Sequence, residues 1–119
     1  LWERSIGGLR TPAVVGDFIF MINSHNEMIC LTKNYGQVLW VKKLEADPDH
    51  PYKIIWDGPI VANNKLYIVS AGGELVSLDP TNGKVLSTTP VGAPVSLAPF
   101  VAHETLYILT DNGDLMAFR

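Results

Sequence analysis

Cysteine is almost absent from this chain, since Cys30 is the only one in 119 residues and no disulfide can form within it. Basic residues are also few. Nine lysines and arginines against twelve aspartates and glutamates give a net charge of −3, and no basic cluster exceeds the pair Lys42-Lys43. Nucleic-acid binding needs a basic surface facing the phosphates, so a nucleic-acid partner is not expected. No apolar run approaches the roughly 18–20 residues of a membrane-spanning helix.

Helical periodicity is missing as well. No sustained stretch places apolar residues at i, i+3, i+4 and i+7 between helix caps. Short apolar runs rich in β-branched and aromatic residues are instead separated by Asn, Asp, Gly and Pro, which indicates strands joined by tight turns. The central runs, such as residues 66–69, are apolar on both faces, whereas a sheet with one face in water would alternate. Both faces of these sheets must therefore be covered.

The strand pattern repeats along the chain, and its clearest copy begins at Pro59. Counted from there, Tyr67, Gly73, Leu78 and Gly83 lie 8, 14, 19 and 24 residues further on. The same offsets from Pro12 and Pro99 reach similar residues, which are Phe20, Asn26, Leu31 and Gly36 in one copy and Tyr107, Gly113 and Phe118 in the other. The copies begin 47 and then 40 residues apart, which is the spacing of propeller blades.

The fold class predicted from this repeat is all-β. We expect β-propeller blades of four antiparallel strands, with about three blades present as a fragment of a larger propeller, because propellers typically close with four to eight blades. An ordinary β-sandwich of short strands is the alternative, and three copies at fixed offsets argue against it. The free ends of such a fragment would expose apolar faces and unpaired strand edges, so self-association of the chain is also expected.

The repeat also predicts how the chain is divided. Residues 1–3 echo residues 39–41, so they are interpreted as the last strand of a preceding blade. The predicted units are residues 1–10 (that strand and a linker), 11–57 (a blade with an insertion loop at 44–56), 58–97 (a blade and a linker) and 98–119 (three strands of a C-terminal blade).

Two segments, at residues 30–40 and 77–87, resemble the tryptophan-docking repeat of PQQ-type β-propellers. That repeat has a small residue first, Asp third, Gly seventh and Trp eleventh. The resemblance implies a structural role for Gly36, Trp40, Asp79 and Gly83, with the indole lying between adjacent blades. The departures from the repeat are Cys30 in place of Ala, Thr32 in place of Asp and Ser87 in place of Trp.

Within that family the chain is most similar to the C-terminal part of the outer-membrane protein assembly factors, the propeller lipoproteins of the barrel-assembly machinery. The similarity rests on the runs IIWDGPIVANNKLYIVSAGGELVSLDP and LYILTDNGDLMAFR and on the acidic, proline-bearing insertion. It implies a non-catalytic scaffold without a cofactor that binds other barrel-assembly components. It also implies a periplasmic location, peripheral to the outer membrane.

The insertion loop is where the repeat is interrupted. Tyr52, Ile55 and Trp56 lie there among three aspartates, and aromatic anchors amid charge are typical of protein-binding surfaces. These three residues are therefore candidates for partner binding. In the alternative interpretation, Ile55 and Trp56 only cap the joint between two blades.

Catalytic and metal sites are not predicted. The three histidines, His25, His50 and His103, lie in separate turns or loops without spaced partners, whereas zinc requires three or four converging ligands. The segment from Asp111 to Asp114 resembles the start of a calcium loop, but the twelve-residue pattern is incomplete and a hairpin turn is favoured.

The sequence leaves two alternative functions open. One is a fragment of a PQQ-dependent dehydrogenase, a family in which adjacent cysteines, a calcium-bound quinone and a catalytic aspartate mark the site. The other is a fragment of an extracytoplasmic sensor propeller. The single cysteine disfavours the dehydrogenase.

Overall fold

The computed structural model describes residues 12–23, 25–44, 56–95 and 99–118. These residues form strands and turns in three antiparallel sheets, in which neighbouring strands along the chain also neighbour each other in space. Blade 1 contains β1 (Ala13–Val15), β2 (Phe18–Ile22), β3 (Glu27–Thr32) and β4 (Val38–Lys43). Blade 2 contains β5 (Trp56–Ala62), β6 (Lys65–Ser70), β7 (Glu74–Leu78) and β8 (Val85–Pro90). Blade 3 contains β9 (Phe100–Ala102), β10 (Thr105–Leu109) and β11 (Leu115–Phe118). The predicted all-β class with four-stranded antiparallel blades is confirmed.

The first turn of each blade requires a left-handed backbone. Gly16 has φ of 55°, Asn63 and Asn64 have φ of 52° and 61°, and His103 and Glu104 have φ of 50° and 63°. Glycine and asparagine tolerate this region, and two successive residues with positive φ suit the tightest hairpins. Asn63-Asn64 is one of the asparagine breaks between apolar runs, whereas His103-Glu104 contains neither glycine nor asparagine and corresponds to it only through the repeat spacing of 40 residues.

The second turn of each blade is held by a side chain at its start. A side-chain oxygen there accepts a hydrogen bond from the backbone N–H four residues on. The pairs are Asn23 with Glu27 (2.9 Å), Ser70 with Glu74 (3.0 Å) and Thr110 with Asp114 (3.1 Å). The segment that resembles a calcium loop is thus the second turn of blade 3.

Two cores lie between the blades. Each is built from apolar side chains of facing sheets, and fully burying one such side chain contributes roughly 1.5–3 kcal/mol. The core between blades 1 and 2 contains Phe20, Ile22, Met28, Cys30, Leu44, Trp56, Leu66, Ile68, Val76 and Leu78. The core between blades 2 and 3 contains Val69, Leu75, Val91, Val95, Leu106 and Ile108. Blade 2 therefore buries both of its faces, as the apolar strands predict.

Trp56 lies in a strand, which differs from the insertion loop that the repeat predicts. It is the first residue of β5, pairs with Ser70 and is 4% exposed within the first core. The pairing register shifts between Asp57 and Ile60, so the strand bulges around Pro59, which has no N–H to donate, and continues on its N-terminal side. The burial agrees with the alternative that Trp56 caps a blade joint. Tyr52 and Ile55 lie outside the described residues.

Candidate functional site: the joint between blades 1 and 2

Trp40 connects blade 1 to blade 2. It lies in β4, its ring is half-buried, and its Nε1–H donates a 3.0 Å hydrogen bond to the carbonyl oxygen of Pro80. A Cβ atom added at Gly83 would lie 2.7 Å from Cζ3 of Trp40 and 2.8 Å from its Cε3. The indole therefore occupies the space that a side chain at position 83 would need.

Gly83 meets a second requirement of the same turn. Its φ is 76°, and its N–H donates a 2.8 Å hydrogen bond to the carbonyl of Asp79. A residue with a Cβ atom is disfavoured in this left-handed conformation even where space is available. Glycine thus allows both the tight turn and the close approach of Trp40.

The Asp79 carboxylate also stabilises the turn that contains Gly83. It accepts hydrogen bonds from the backbone N–H of Thr81 at 2.8 Å and from the Thr81 hydroxyl at 2.6 Å. These bonds stabilise the charged form, so the pKa of Asp79 lies below its ordinary value. Because Pro80 lies between the two residues, the interaction fixes the backbone that presents the carbonyl to Trp40.

The corresponding turn of blade 1 contains Gly36. Its φ is 64° and its N–H donates to the carbonyl of Thr32 at 2.9 Å. Thr32 stands where blade 2 has Asp79, and its hydroxyl accepts a 3.0 Å hydrogen bond from the N–H of Gln37. The departure from Asp therefore leaves the turn intact. The structure brings Trp40, Asp79 and Gly83 together at one joint, while Gly36 lies in the turn of the neighbouring blade.

Cys30 lies next to Trp40 in the core between blades 1 and 2. It pairs with Trp40 across β3 and β4, and Phe20 pairs with it across β2 and β3. The rings of Phe20 and Trp40 are tilted by 40° with centroids 6.1 Å apart. Cys30 is buried, and the loss of solvent raises the pKa of its thiol above the ordinary value. The thiol behaves as a small apolar group in this position.

A cavity of about 380 Å³ opens at the turn end of this joint. Most of its lining is apolar, with Phe18, Phe20 and Trp40 from blade 1, and Asn64 and Thr81 of blade 2 add polar side chains. Pockets of this size with a few polar groups are typical binding sites for small molecules or anchoring side chains. The sequence pattern does not predict this cavity. The sequence signal that could have revealed the cavity is the apolar residue Phe18, because the equivalent residue of blade 2 is Lys65.

The joint between blades 2 and 3 has a different cleft. It has a volume of about 660 Å³ and a polar lining. The lining residues are Asn63, Lys65, Tyr67, His103, Glu104, Thr105 and Tyr107. Ser87, which stands where blade 1 has Trp40, is exposed and shares a hydrogen bond with Ser77 on the adjacent strand. The apolar cavity is thus a property of the first joint and not of the repeat as such.

The histidines that the structure describes lie in turns, with His25 in blade 1 and His103 in blade 3, and His50 lies outside the described residues. Among the described residues, no three His, Cys, Asp or Glu side chains are grouped so that they could hold a metal ion. The same part of the chain contains no helix with the length and apolar character needed to cross a membrane.

Known proteins resemble this chain over most of its length. Residues 34–119 match the family model described as "Outer membrane protein assembly factor BamB". BamB of Salmonella typhimurium is 24% identical over 118 residues, which are 98% of this chain and 29% of that protein. The quinoprotein alcohol dehydrogenase PedH of Pseudomonas putida is 32% identical over 87 residues, which are 68% of this chain and 14% of that protein.

A solved structure shows the same fold. The crystal structure of BamB from Moraxella catarrhalis superposes with a TM-score of 0.77 at 14% identity, and the match covers 94% of this chain and 32% of that one. The chain thus spans about a third or less of the length of its BamB relatives. On the family match, which includes Trp40 and the turn from Asp79 to Gly83, the chain belongs to the outer membrane protein assembly factor BamB family.

Proposed function

We propose that this chain is part of a non-catalytic propeller scaffold that binds other proteins during the assembly of outer-membrane β-barrel proteins. In this proposal it acts in the periplasm, at the inner face of the outer membrane. The observation that carries the proposal is the family match over residues 34–119. The family name identifies the process as outer-membrane protein assembly, and the proposed partner-binding role is derived from that process.

The chemistry of the joint agrees with a structural role for the repeat residues. The indole N–H of Trp40 is donated to the Pro80 carbonyl, and the Asp79 carboxylate accepts two hydrogen bonds from Thr81. Groups engaged in this way shape the turn and the blade joint. A scaffold needs such rigid joints, because its binding surfaces must keep their relative positions.

Binding to purified barrel-assembly components tests the proposal. The immobilised chain is expected to bind at least one of them saturably, and excess untagged chain should compete for the same sites. Absence of binding to every component of the machinery would contradict the scaffold role.

A second candidate rests on the similarity to PedH. In this case the chain is a piece of a quinoprotein alcohol dehydrogenase, and the quinone site would involve residues of the larger protein. Titration of the full-length protein that contains this chain with PQQ and Ca²⁺ in a calorimeter separates the two candidates. We expect no binding, whereas saturable binding at micromolar concentration would favour the dehydrogenase.

A further inference from the structure

The end of blade 1 that carries its first and third turns exposes an unusual set of apolar side chains. Val15 is 41% exposed, Phe18 is 43% exposed and Tyr35 is 82% exposed. Val15 and Phe18 are paired across β1 and β2, and the N–H of Lys33 donates a 2.7 Å hydrogen bond to the carbonyl of Asp17. That bond joins the two turns, so the three residues lie at the same end of blade 1, and this end is here called the blade 1 turn surface.

The fold does not require large apolar side chains at these positions. Blade 2 has the same strands and turns, and its equivalents 47 residues further on are Ala62, Lys65 and Asn82. Lysine at the second position and asparagine at the third are therefore compatible with a blade. The side chains of Phe18 and Tyr35 must be explained by something other than blade folding.

The blade 1 turn surface continues into the apolar cavity. Val15 and Phe18 line that cavity together with Trp40, and the cavity volume of about 380 Å³ is ample for one large side chain. A pocket that receives an aromatic or aliphatic anchor is the usual centre of a protein interface. The exposed ring of Tyr35 adds apolar contact area at the same end of the blade.

Another blade does not cover this surface. Blades pack through the faces of their sheets, as the two cores show, whereas the turns lie at the ends of the strands. A further blade or a second copy that stacks in the same way leaves the turn ends open.

The charges beside the surface favour a protein over a lipid membrane. Asp17 precedes Phe18 and Asp79 precedes Pro80, and Lys33 lies in the third turn of blade 1. Lys65 and Lys84 lie at the same end of blade 2, so the charges are of both signs, whereas membranes with anionic lipids attract clusters of about four to eight lysines and arginines. An apolar centre with mixed charges around it is the pattern of a protein interface.

We propose that the blade 1 turn surface binds a protein partner, which inserts a bulky apolar side chain into the cavity between Phe18 and Trp40. This inference rests on the proposed partner-binding function and names the surface that performs it. It places binding at the opposite end of the blades from Trp56, one of the residues that the sequence pattern predicts to bind a partner.

A random twelve-residue peptide display library, selected on the full chain, tests this assignment. The test variant is F18K/Y35N, which introduces the residues that blade 2 carries at the same positions. The matched control is Leu86→Ser, which removes an apolar side chain that is 49% exposed on β8. Selected peptides should contain a bulky apolar residue, and the double variant should bind them about tenfold or more weakly, while the control binds them as the wild type does.

Other outcomes overturn the assignment. If peptides are selected but bind F18K/Y35N as tightly as wild type, the scaffold function stands and the surface is wrong. If no peptide is selected and the purified barrel-assembly components also fail to bind, both proposals fail. Sedimentation with neutral or anionic phospholipid vesicles that depends on Phe18 would assign the surface to lipid. Self-association lost in F18K/Y35N would assign it to a second copy.

Discussion

The indole of Trp40 lies against Gly83, so that a Cβ atom on this glycine would stand 2.7 Å from the ring. Blade 1 thus contributes a large ring to the joint, and blade 2 contributes a glycine, which leaves room for that ring. The contact connects residues of different sheets, and its stability depends on both partners. This relationship gives the sharpest test of how the blades are held together.

Gly83→Ala should destabilise the chain more than alanine does at another glycine with positive φ. The added methyl group meets the Trp40 ring, and overpacking costs typically about 1–3 kcal/mol beyond the backbone penalty of about 1–2 kcal/mol. Gly16→Ala is the control, because Gly16 has φ of 55° and nothing lies within 4 Å of its added Cβ atom. Urea unfolding measures both. Equal losses of stability would mean that Trp40 moves aside without cost.

Trp40→Phe should lower the free energy of unfolding by about 1–2 kcal/mol. The variant loses the hydrogen bond to Pro80 and part of the ring that packs on Gly83. Tyr35→Phe, at an exposed aromatic position, should stay within about 0.5 kcal/mol of wild type. Denaturant unfolding followed by far-UV circular dichroism provides the measurement. A Trp40 variant as stable as the Tyr35 control would show that the joint does not depend on the indole.

Cys30 should contribute to stability only while its thiol is protonated. Burial raises its pKa in the folded state, so the folded chain holds the proton more tightly than the unfolded chain does. The contribution is complete below the ordinary thiol pKa of 9.0 and is lost as the pH rises through the raised value. The difference in unfolding free energy between wild type and Cys30→Ala should therefore shrink above pH 9.0. A difference that is constant with pH, or rapid labelling of the native thiol, would contradict the burial.

Thr81→Val should move the pKa of Asp79 upward, back toward its ordinary value. The hydroxyl of Thr81 is the larger cause of the lowered pKa and the backbone N–H is the second, so part of the shift should remain. Any stability linked to Asp79 is present above the ordinary carboxyl pKa of 3.8 and is lost as the pH falls through the lowered value. Carboxyl-carbon NMR titration measures the change. Thr81→Ser keeps the hydroxyl and should leave the pKa low.

The chain should associate with itself through the outer face of blade 3. Phe100, Leu109 and Leu115 expose apolar side chains there, and a contiguous apolar patch favours association. Light scattering after size exclusion should show species larger than a monomer, and Leu115→Lys should reduce them. Leu86→Lys, at a similarly exposed residue of blade 2, is the control. A monomer at high protein concentration would refute this expectation.

Much of the fold could be predicted because its signals are local. Asn63-Asn64 and Gly83 have the positive φ that their turns require, so the sequence marks where strands end. The limits appear where local signals conflict with packing. The repeat copy begins at Pro59, yet the bulge lets β5 begin at Trp56, which is buried by residues distant in sequence.

The sequence by itself determined the blade repeat, because its turn residues and apolar runs act over a few neighbouring positions. It also indicated the tryptophan-docking residues through their spacing. Only the tertiary structure decided that Trp40 meets Pro80, forty residues away, and that a cavity opens beside Phe18. Those features arise where two sheets face each other, and the distance between the sheets depends on the packing of every side chain in the core.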